Sequence, residues 1–437
     1  MVSLADFEKG AVLTVLIAGG GIAGLSLALT CHQIGVPCRV FESVATLRPL
    51  GVGINLQPNA VRELLELGLA NELEAIGVAA EEWSLFARNG KEVWSEPRGT
   101  LAGYRWPQYS VHRGKLQMVL YDAVVRRLGQ DAVVTGARLV SYETHASSVT
   151  AELRGADGSL RQETGTLLIG ADGIRSTVRA QMYPDEGQPI WNGAVMWRGV
   201  SQYAPVRTRN SFVLIGTMAH RFVCYPISKA DPTTGLATMN WIAERTLKDK
   251  RFFSDSDWDR RASLDEFLPF FLDWDFGWLD APRIIRGANE IFVYPMVDRD
   301  PVDRWTDGRV LLLGDAAHAM YPTGSNGASQ AIVDARILGA KLVEHGVGEV
   351  ALKAYEDALR DNINALILRN RGAGPIGLLG VVEQRCDGRF DDIDDVVPRA
   401  EAEEFMARYK TAAGFAKEAL NKSAPLIDPR RYRVVFA

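Results

Sequence analysis

Residues 12–42 read VLTVLIAGGGIAGLSLALTCHQIGVPCRVFE, and the rest of the chain is most easily understood outward from them. The apolar run Leu13 to Ala18 predicts a short buried strand. Gly19, Gly21 and Gly24 follow on a G-x-G-x-x-G spacing, and Ile22, Leu25, Ala28 and Leu29 then recur at helical spacing. Ile22, Ala23 and Gly24 stand at the helix start, where free N–H groups can hold phosphates. In such a turn the first glycine permits the sharp bend. The second lets a pyrophosphate approach the backbone, and the third lets helix and strand pack closely. A second strand, Cys38 to Phe41, ends in Glu42, placed where a ribose offers two hydroxyls. The stretch therefore reads as a dinucleotide site. Two other readings compete: a glycine-rich structural turn, and a membrane span, because Ala11 to Cys31 carries no charge. Glycines clustered mid-segment, and an ordinary strand and loop after it, oppose the span.

The chain has 437 residues, 47% of them hydrophobic, which supports a large core and two domains. Its net charge of −5, without a basic tail, argues against a nucleic-acid partner. Cys31, Cys38, Cys224 and Cys386 show no C-x-x-C spacing and read as reduced thiols of a cytoplasmic protein. The N-terminus shows no signal-peptide pattern. The histidines have no metal-ligand spacing, and the acidic run Asp387 to Asp395 reads as solvated surface, so no metal site is expected.

Beyond Glu42, Arg48 to Asn55, around Val52, is too glycine-rich for a helix and can approach a flat ring with its backbone, and a helix is predicted to start near Pro58, with Leu64, Leu65 and Leu67 on its apolar side. Glu81 to Glu96 alternates around an Asn89-Gly90 turn, with Trp83, Leu85 and Trp94 as face residues. Val111 to Gly129 predicts a helix with Arg113 at its start. A cation there opposes the helix dipole, so Arg113 either pairs with an anion or is a solvated surface arginine. Thr166 to Ile169 predicts a strand leading into Gly170-Ala171-Asp172-Gly173, with a helix from Arg175. Arg309 to Leu313 predicts another, ending at Asp315, with Gly324 and Gly327 opening a helix near Ala328. Acids at strand ends sit where open α/β sheets bind ligands. Between Trp191 and Trp241 four strand-like pieces predict a mostly antiparallel sheet. Met196, Trp197, Phe222, Tyr225 and Trp241 are its pocket candidates, or simply core. Arg198 either meets a substrate carboxylate, faces solvent or pairs with an acid. Helices are expected around Trp258, over Leu264 to Trp274, over Ala354 to Arg371 and over Ala400 to Leu420.

Three stretches in order, GGGIAG with Glu42, GADGIRS at Gly170 and GDAAH at Gly314 with Pro322, resemble the flavoprotein monooxygenases that hydroxylate aromatic rings. The stretches PQYSVHRGKLQMVL, MWRGV, LPFFLDWDFGW, YPMVDRDPVDRW and GDAAHAMYPTGSNGASQAI are most similar to the phenazine-carboxylate branch of that family. The resemblance implies an α/β fold with a Rossmann-like FAD-binding domain (1–80, 98–185 and 295–371). It adds a mostly antiparallel substrate domain (81–97 and 186–294) and a C-terminal helical segment and tail (372–437). It implies that the first motif holds the ADP half of FAD and that Asp172 supports FAD and a nicotinamide donor. Asp315 would contact the ribityl and pyrophosphate part, Pro322 would line the flavin edge, and Arg113 would reach the FAD phosphates.

By the same resemblance the reductant is NADH or NADPH, bound transiently because only one G-x-G-x-x-G is present. A flavin C4a-hydroperoxide would pass one oxygen of O2 to an electron-rich ring carbon, with loss of CO2 where that carbon is carboxylated. The hard chemistry belongs to the cofactor, and no nucleophile–base set is expected. The partner is a small planar aromatic, phenazine-like in the leading reading, and the chain is expected as a monomer or homodimer without membrane insertion. Two other classes stay open on sequence: a flavin epoxidase or dehydrogenase, and a nucleotide-binding module without catalysis.

Overall fold

The structure, a computed structural model, describes residues 13–49, 51–247 and 260–428. The helix expected around Trp258 lies outside them. Val15–Ala18 is a fully buried strand. It pairs in parallel with Cys38–Phe41 on one side and Leu167–Gly170 on the other, and Val310–Leu312 adds beyond Leu167–Gly170. Two short edge strands complete a six-stranded sheet. Helix Ile22–Gln33 lies against this sheet and is buried nearly all round. The long helix Gly327–His345 crosses it at Gly339, where a Cβ would fall 2.2 Å from the Thr30 methyl, so only glycine permits this approach. Helix Arg113–Leu128 starts two residues later than expected, since Val111 belongs to strand Tyr109–His112.

A second sheet has eight strands. In spatial order the central ones are Ala288–Asp298, Ile190–Tyr203, Ala237–Thr246, His220–Pro226, Ser211–Gly216 and Glu82–Ala87. Every pairing is antiparallel except Ser211–Gly216 with Glu82–Ala87. Successive side chains alternate between faces. On the outer face Val195, Trp197, Phe222, Cys224, Trp241 and Val293 pack beneath Phe267, Phe271, Trp274, Ile284 and Ile285. Each such large apolar side chain gains about 1.5–3 kcal/mol from leaving water. The covering segment is not the helix expected over Leu264 to Trp274. It forms 3-10 turns at Leu264–Glu266 and Leu268–Phe271, because Pro269 removes the amide a continuing helix needs.

Past Gly372 the chain is more regular than its sequence suggests. Helix Gly377–Cys386 was not foreseen, and the helix expected over Ala400 to Leu420 divides into Arg399–Ala412 and Lys417–Lys422. The break falls at Gly414, in the left-handed region at φ +74°. Leu378, Leu379, Val382, Val397 and Met406 cover Trp83, Leu85, Trp94, Phe212 and Tyr225 on the inner face of the eight-stranded sheet. Among the described residues no helix is long and apolar enough to cross a membrane, and no cluster of metal-ligating side chains forms.

Candidate functional site

The three sequence motifs converge because their strands are neighbours. Val310–Leu312, Leu167–Gly170, Val15–Ala18 and Cys38–Phe41 lie side by side and parallel, so Asp315, Asp172, Gly19 and Glu42 follow one another along a single carboxyl edge. This is the edge of an open α/β sheet at which ligands bind. Gly19 turns at φ +108°, and a Cβ on it would lie 2.3 Å from Ala171 O. A Cβ on Gly24 would lie 2.0 Å from Gly19 O. Both glycines are therefore required by the protein itself. Gly21 differs: its φ is −78°, and among the described residues nothing lies within 4 Å of where its Cβ would be. Its bareness keeps open space beside the helix start. There the first amide with an intrahelical acceptor is Leu25 N, bonded to Gly21 O at 3.0 Å, which leaves those of Ile22, Ala23 and Gly24 for a ligand. Glu42 accepts from Gly20 N at 2.7 Å and Val44 N at 2.8 Å. Gln117, which sequence reasoning missed, donates to Gly20 O at 2.8 Å from helix Arg113–Leu128.

Asp172 accepts from Thr177 N at 2.7 Å and Val178 N at 3.3 Å, tying it to the start of helix Thr177–Met182. Its Oδ1 has no partner among the described residues. Burial pushes its carboxyl above the usual range, against hydrogen bonds from Ser176 and Thr177. From that helix the buried Arg179 donates to Ala317 O at 2.7 Å and Ala316 O at 3.1 Å, linking the second motif to the third. Asp315 is exposed, and its Oδ1 lies 4.0 Å from where a Cβ on Gly327 would be. Gly327 and Ala328, both half-buried, open the long helix opposite it. His318 is buried and bonded to Asp334 at 2.6 Å. Burial lowers its pKa, but the Asp334 carboxylate more than reverses this and the net shift is upward. Pro322 is exposed at the head of the turn Pro322–Gly324.

The inner face of the eight-stranded sheet meets this edge through Gly53. Gly53 N donates to Asn240 Oδ1 at 2.7 Å, and Gly53 O accepts from Arg198 Nη2 at 3.0 Å. A Cβ on Gly53 would fall 2.6 Å from Asn240 Cβ. Val52 is buried beside it, and its carbonyl accepts from Arg113 N at 2.9 Å. Arg198 is thus no free surface cation. Burial lowers its pKa, Tyr225 and Tyr294 oppose this, and Arg113 reinforces it, so the two guanidinium groups feel each other. Neither has a carboxylate partner among the described residues. Tyr225 lies on the same face, stacked on Phe212 at 4.7 Å, and burial pushes its hydroxyl up to about 12, with Arg198 opposing the shift. Met196, Met296 and Tyr321 form a small apolar cluster there, flanked by Ile242 and Tyr294.

Three pocket candidates are corrected by this geometry. Trp197 is 2% exposed and stacks on Phe267 at 5.0 Å, and Phe222 is fully buried near Trp241. Both point to the outer face, as does Trp241 itself. The reason is strand parity: Trp197 and Arg198 are neighbours, so they cannot share a face. The missed inner-face residues, Ile242 and Tyr294, stand opposite Arg198 and Met196 in the ladder, and only knowledge of register would have found them.

Fold and site together define a class, that of FAD-dependent aromatic-ring monooxygenases. The family described as FAD binding domain matches residues 12–262 and 288–369, and the chain belongs to it. The chain is 41% identical over 361 residues to phenazine 1,6-dicarboxylic acid hydroxylase PhzS of Lysobacter antibioticus, covering 82% of this chain and 89% of that one. It is 28% identical over 382 residues to a salicylate hydroxylase of Pseudomonas putida, covering 80% and 82%. In three dimensions it is similar to Klebsiella pneumoniae HpxO complexed with FAD and uric acid, with a TM-score of 0.73 at 23% identity over 95% and 98% of the two chains. FAD is the bound cofactor, and NAD(P)H is the family's usual reductant.

Proposed function

We propose that the chain uses NAD(P)H and O2 to hydroxylate a planar, carboxylated N-heteroaromatic ring of the phenazine type. The observation that carries this reading is the 41% identity, over 82% of the chain, to a hydroxylase whose named substrate is a phenazine dicarboxylic acid. The residues fit FAD: among the described residues nothing lies within 4 Å of a Cβ on Gly21 and Asp172 Oδ1 lacks a partner, and Arg113 opens the helix whose Gln117 reaches Gly20 O. In this reading the amides after Gly21 hold the pyrophosphate, with Arg113 supplying charge. Glu42 holds the adenosine ribose. Asp172 and Asp315 hold the ribityl side, with Gly327 and Ala328 at the helix opening, and Val52 and Pro322 border the ring. The nucleotide part comprises 1–80, 98–185 and 295–371, and the substrate part 81–97 and 186–294.

Bound FAD would supply the redox chemistry that links NAD(P)H oxidation to O2. The chain's own work is positioning and exclusion of water. Met196, Ile242, Tyr294 and Tyr321 offer an apolar wall to a flat ring. Arg198, positive and without a carboxylate partner among the described residues, favours an anionic substituent near Gly53. One oxygen enters the ring, the other leaves as water, and two electrons come from the nicotinamide. Where the attacked carbon carries a carboxylate, CO2 leaves as aromaticity returns. A panel of phenazine, quinoline, pyridine and benzoate carboxylates, scored for coupled NADH use and product mass, tests this. Phenazine acids should give products heavier by one oxygen, or lighter by CO2 and heavier by one oxygen. Turnover of non-carboxylated arenes alone contradicts the acid assignment.

A further inference from the structure

The turn at Pro322–Gly324 is backed by a residue from the far C-terminal segment. Tyr409, in helix Arg399–Ala412, is 8% exposed. Its ring occupies space left by two glycines. A Cβ on Gly324 would fall 1.5 Å from Tyr409 Oη, and one on Gly374 would fall 3.2 Å from its Cε2. Tyr409 Oη accepts from Asn326 Nδ2 at 2.5 Å and donates to Asn370 Oδ1 at 3.3 Å. Asn370 O in turn accepts from Thr323 Oγ1 at 3.0 Å. Thus side chains from helices Glu349–Arg371 and Arg399–Ala412 grip the turn at Thr323, Gly324 and Asn326. The turn needs that grip. Its next residue, Ser325, is held in the left-handed region at φ +54°, a conformation that costs a non-glycine residue on the order of 1 kcal/mol. Tyr409 also lines a cleft of ≈ 1280 Å³ bounded by Gln330, Ile363, Phe405 and Leu420, so it stands between that cleft and the turn.

We infer that Tyr409 is a positioning residue for the hydroxylation, fixing the 322–327 turn so that Pro322 and the opening amides of helix Gly327–His345 meet the isoalloxazine in one geometry. The inference rests on the reading above that this turn borders the flavin. Tyr409 touches neither cofactor nor substrate; it acts through Gly324 and Asn326. The C-terminal segment thereby gains a role in coupling, because a turn free to shift lets water and O2 reach the reduced cofactor out of register with the ring substrate.

The test uses the purified holoenzyme and Tyr409→Phe, which keeps the ring between the two glycines and removes only the hydroxyl. The FAD dissociation constant should rise about fivefold, the equivalent of one net hydrogen bond. The visible circular dichroism of the bound flavin should change, and the hydrogen peroxide formed per NADH oxidised with substrate present should rise severalfold. The urea midpoint of the apo-protein serves as control, because a merely structural tyrosine would move that midpoint and leave the flavin dichroism and coupling alone. Gly324→Ala provides a second arm. Its loss of flavin should be smaller in the Tyr409→Phe background than in the parent, since the clash at 1.5 Å with the hydroxyl is gone and only those at 2.7 Å with ring carbon Cζ and 2.8 Å with Asn326 Nδ2 remain. Unchanged dichroism and coupling in Tyr409→Phe, with a fully yellow parent, overturn this inference alone, as do strictly additive effects of the two substitutions. A parent chain that releases no flavin on denaturation overturns the functional reading, and this inference with it.

Discussion

Gly21 and Gly24 are three residues apart and are glycine for different reasons. A Cβ at Gly24 strikes Gly19 O at 2.0 Å, whereas one at Gly21 meets no atom of the described residues within 4 Å. Gly21→Val should therefore abolish FAD binding while the apo-protein stays within about 0.5 kcal/mol of the parent, the range of a surface change. Gly24→Val should destabilise the apo-protein itself. Flavin absorbance per chain and apo-protein urea curves separate the two, and retention of stoichiometric FAD by Gly21→Val would contradict the assignment. Asp315→Ala should weaken FAD retention or slow flavin reduction by NADH in a stopped-flow trace. If flavin content and reduction rate both stay at parent values, Asp315 is a structural residue only. These positions were legible in the sequence because each follows a short apolar strand, which fixes its place at a sheet edge. Gln117 and Asn240 were not. Their partners, Gly20 and Gly53, lie 97 and 187 residues away, and no local pattern marks a side chain for so distant a backbone group.

At the scale of the element, the strand Ile190–Tyr203 shows what one residue of parity decides. Trp197 faces the outer core and Met196 and Arg198 the inner face. Trp197→Ala should cost about 3–5 kcal/mol in urea unfolding, as large-to-small core substitutions do, with the Michaelis constants of folded enzyme unchanged. Tyr294→Leu should change the Michaelis constant for the aromatic substrate with a far smaller stability loss. The opposite pattern would place the pocket on the outer face. The strands themselves were readable as apolar runs between polar breaks, but the face they turn inward depends on register with Ala288–Asp298 and Ala237–Thr246, which the runs do not encode. The outer aromatic layer also sets a pH response. His220 sits edge-on to Phe271 and Trp274 at 4.5 and 4.6 Å. Burial, then Arg245 and Arg88, lower its pKa from 6.5 to about 4. An unfolded chain binds the proton first, so the stability from this group is present above pH 6.5 and lost as pH falls to about 4. His220→Phe should flatten the melting-temperature profile in that window. A variant profile parallel to the parent's would show that His220 does not contribute.

For the whole molecule, three motifs separated by well over a hundred residues meet along one edge because their strands are sheet neighbours, and the second sheet meets that edge through Gly53. The order of motifs was legible, and so was the alternation of helix-bearing and strand-rich stretches. The C-terminal segment was not: its helices are short and broken by Gly414, and their apolar residues find partners on strands near the chain's start, such as Trp83 and Trp94. A flavin dehydrogenase could share much of this architecture, and what separates it from a hydroxylase is the fate of dioxygen. The most direct measurement is therefore product mass after turnover under isotopically labelled O2 with NADH and a phenazine carboxylate. One labelled oxygen in the ring product, at close to one product per NADH, is the predicted result. Oxidised product without label, or label recovered only in hydrogen peroxide, would contradict the account.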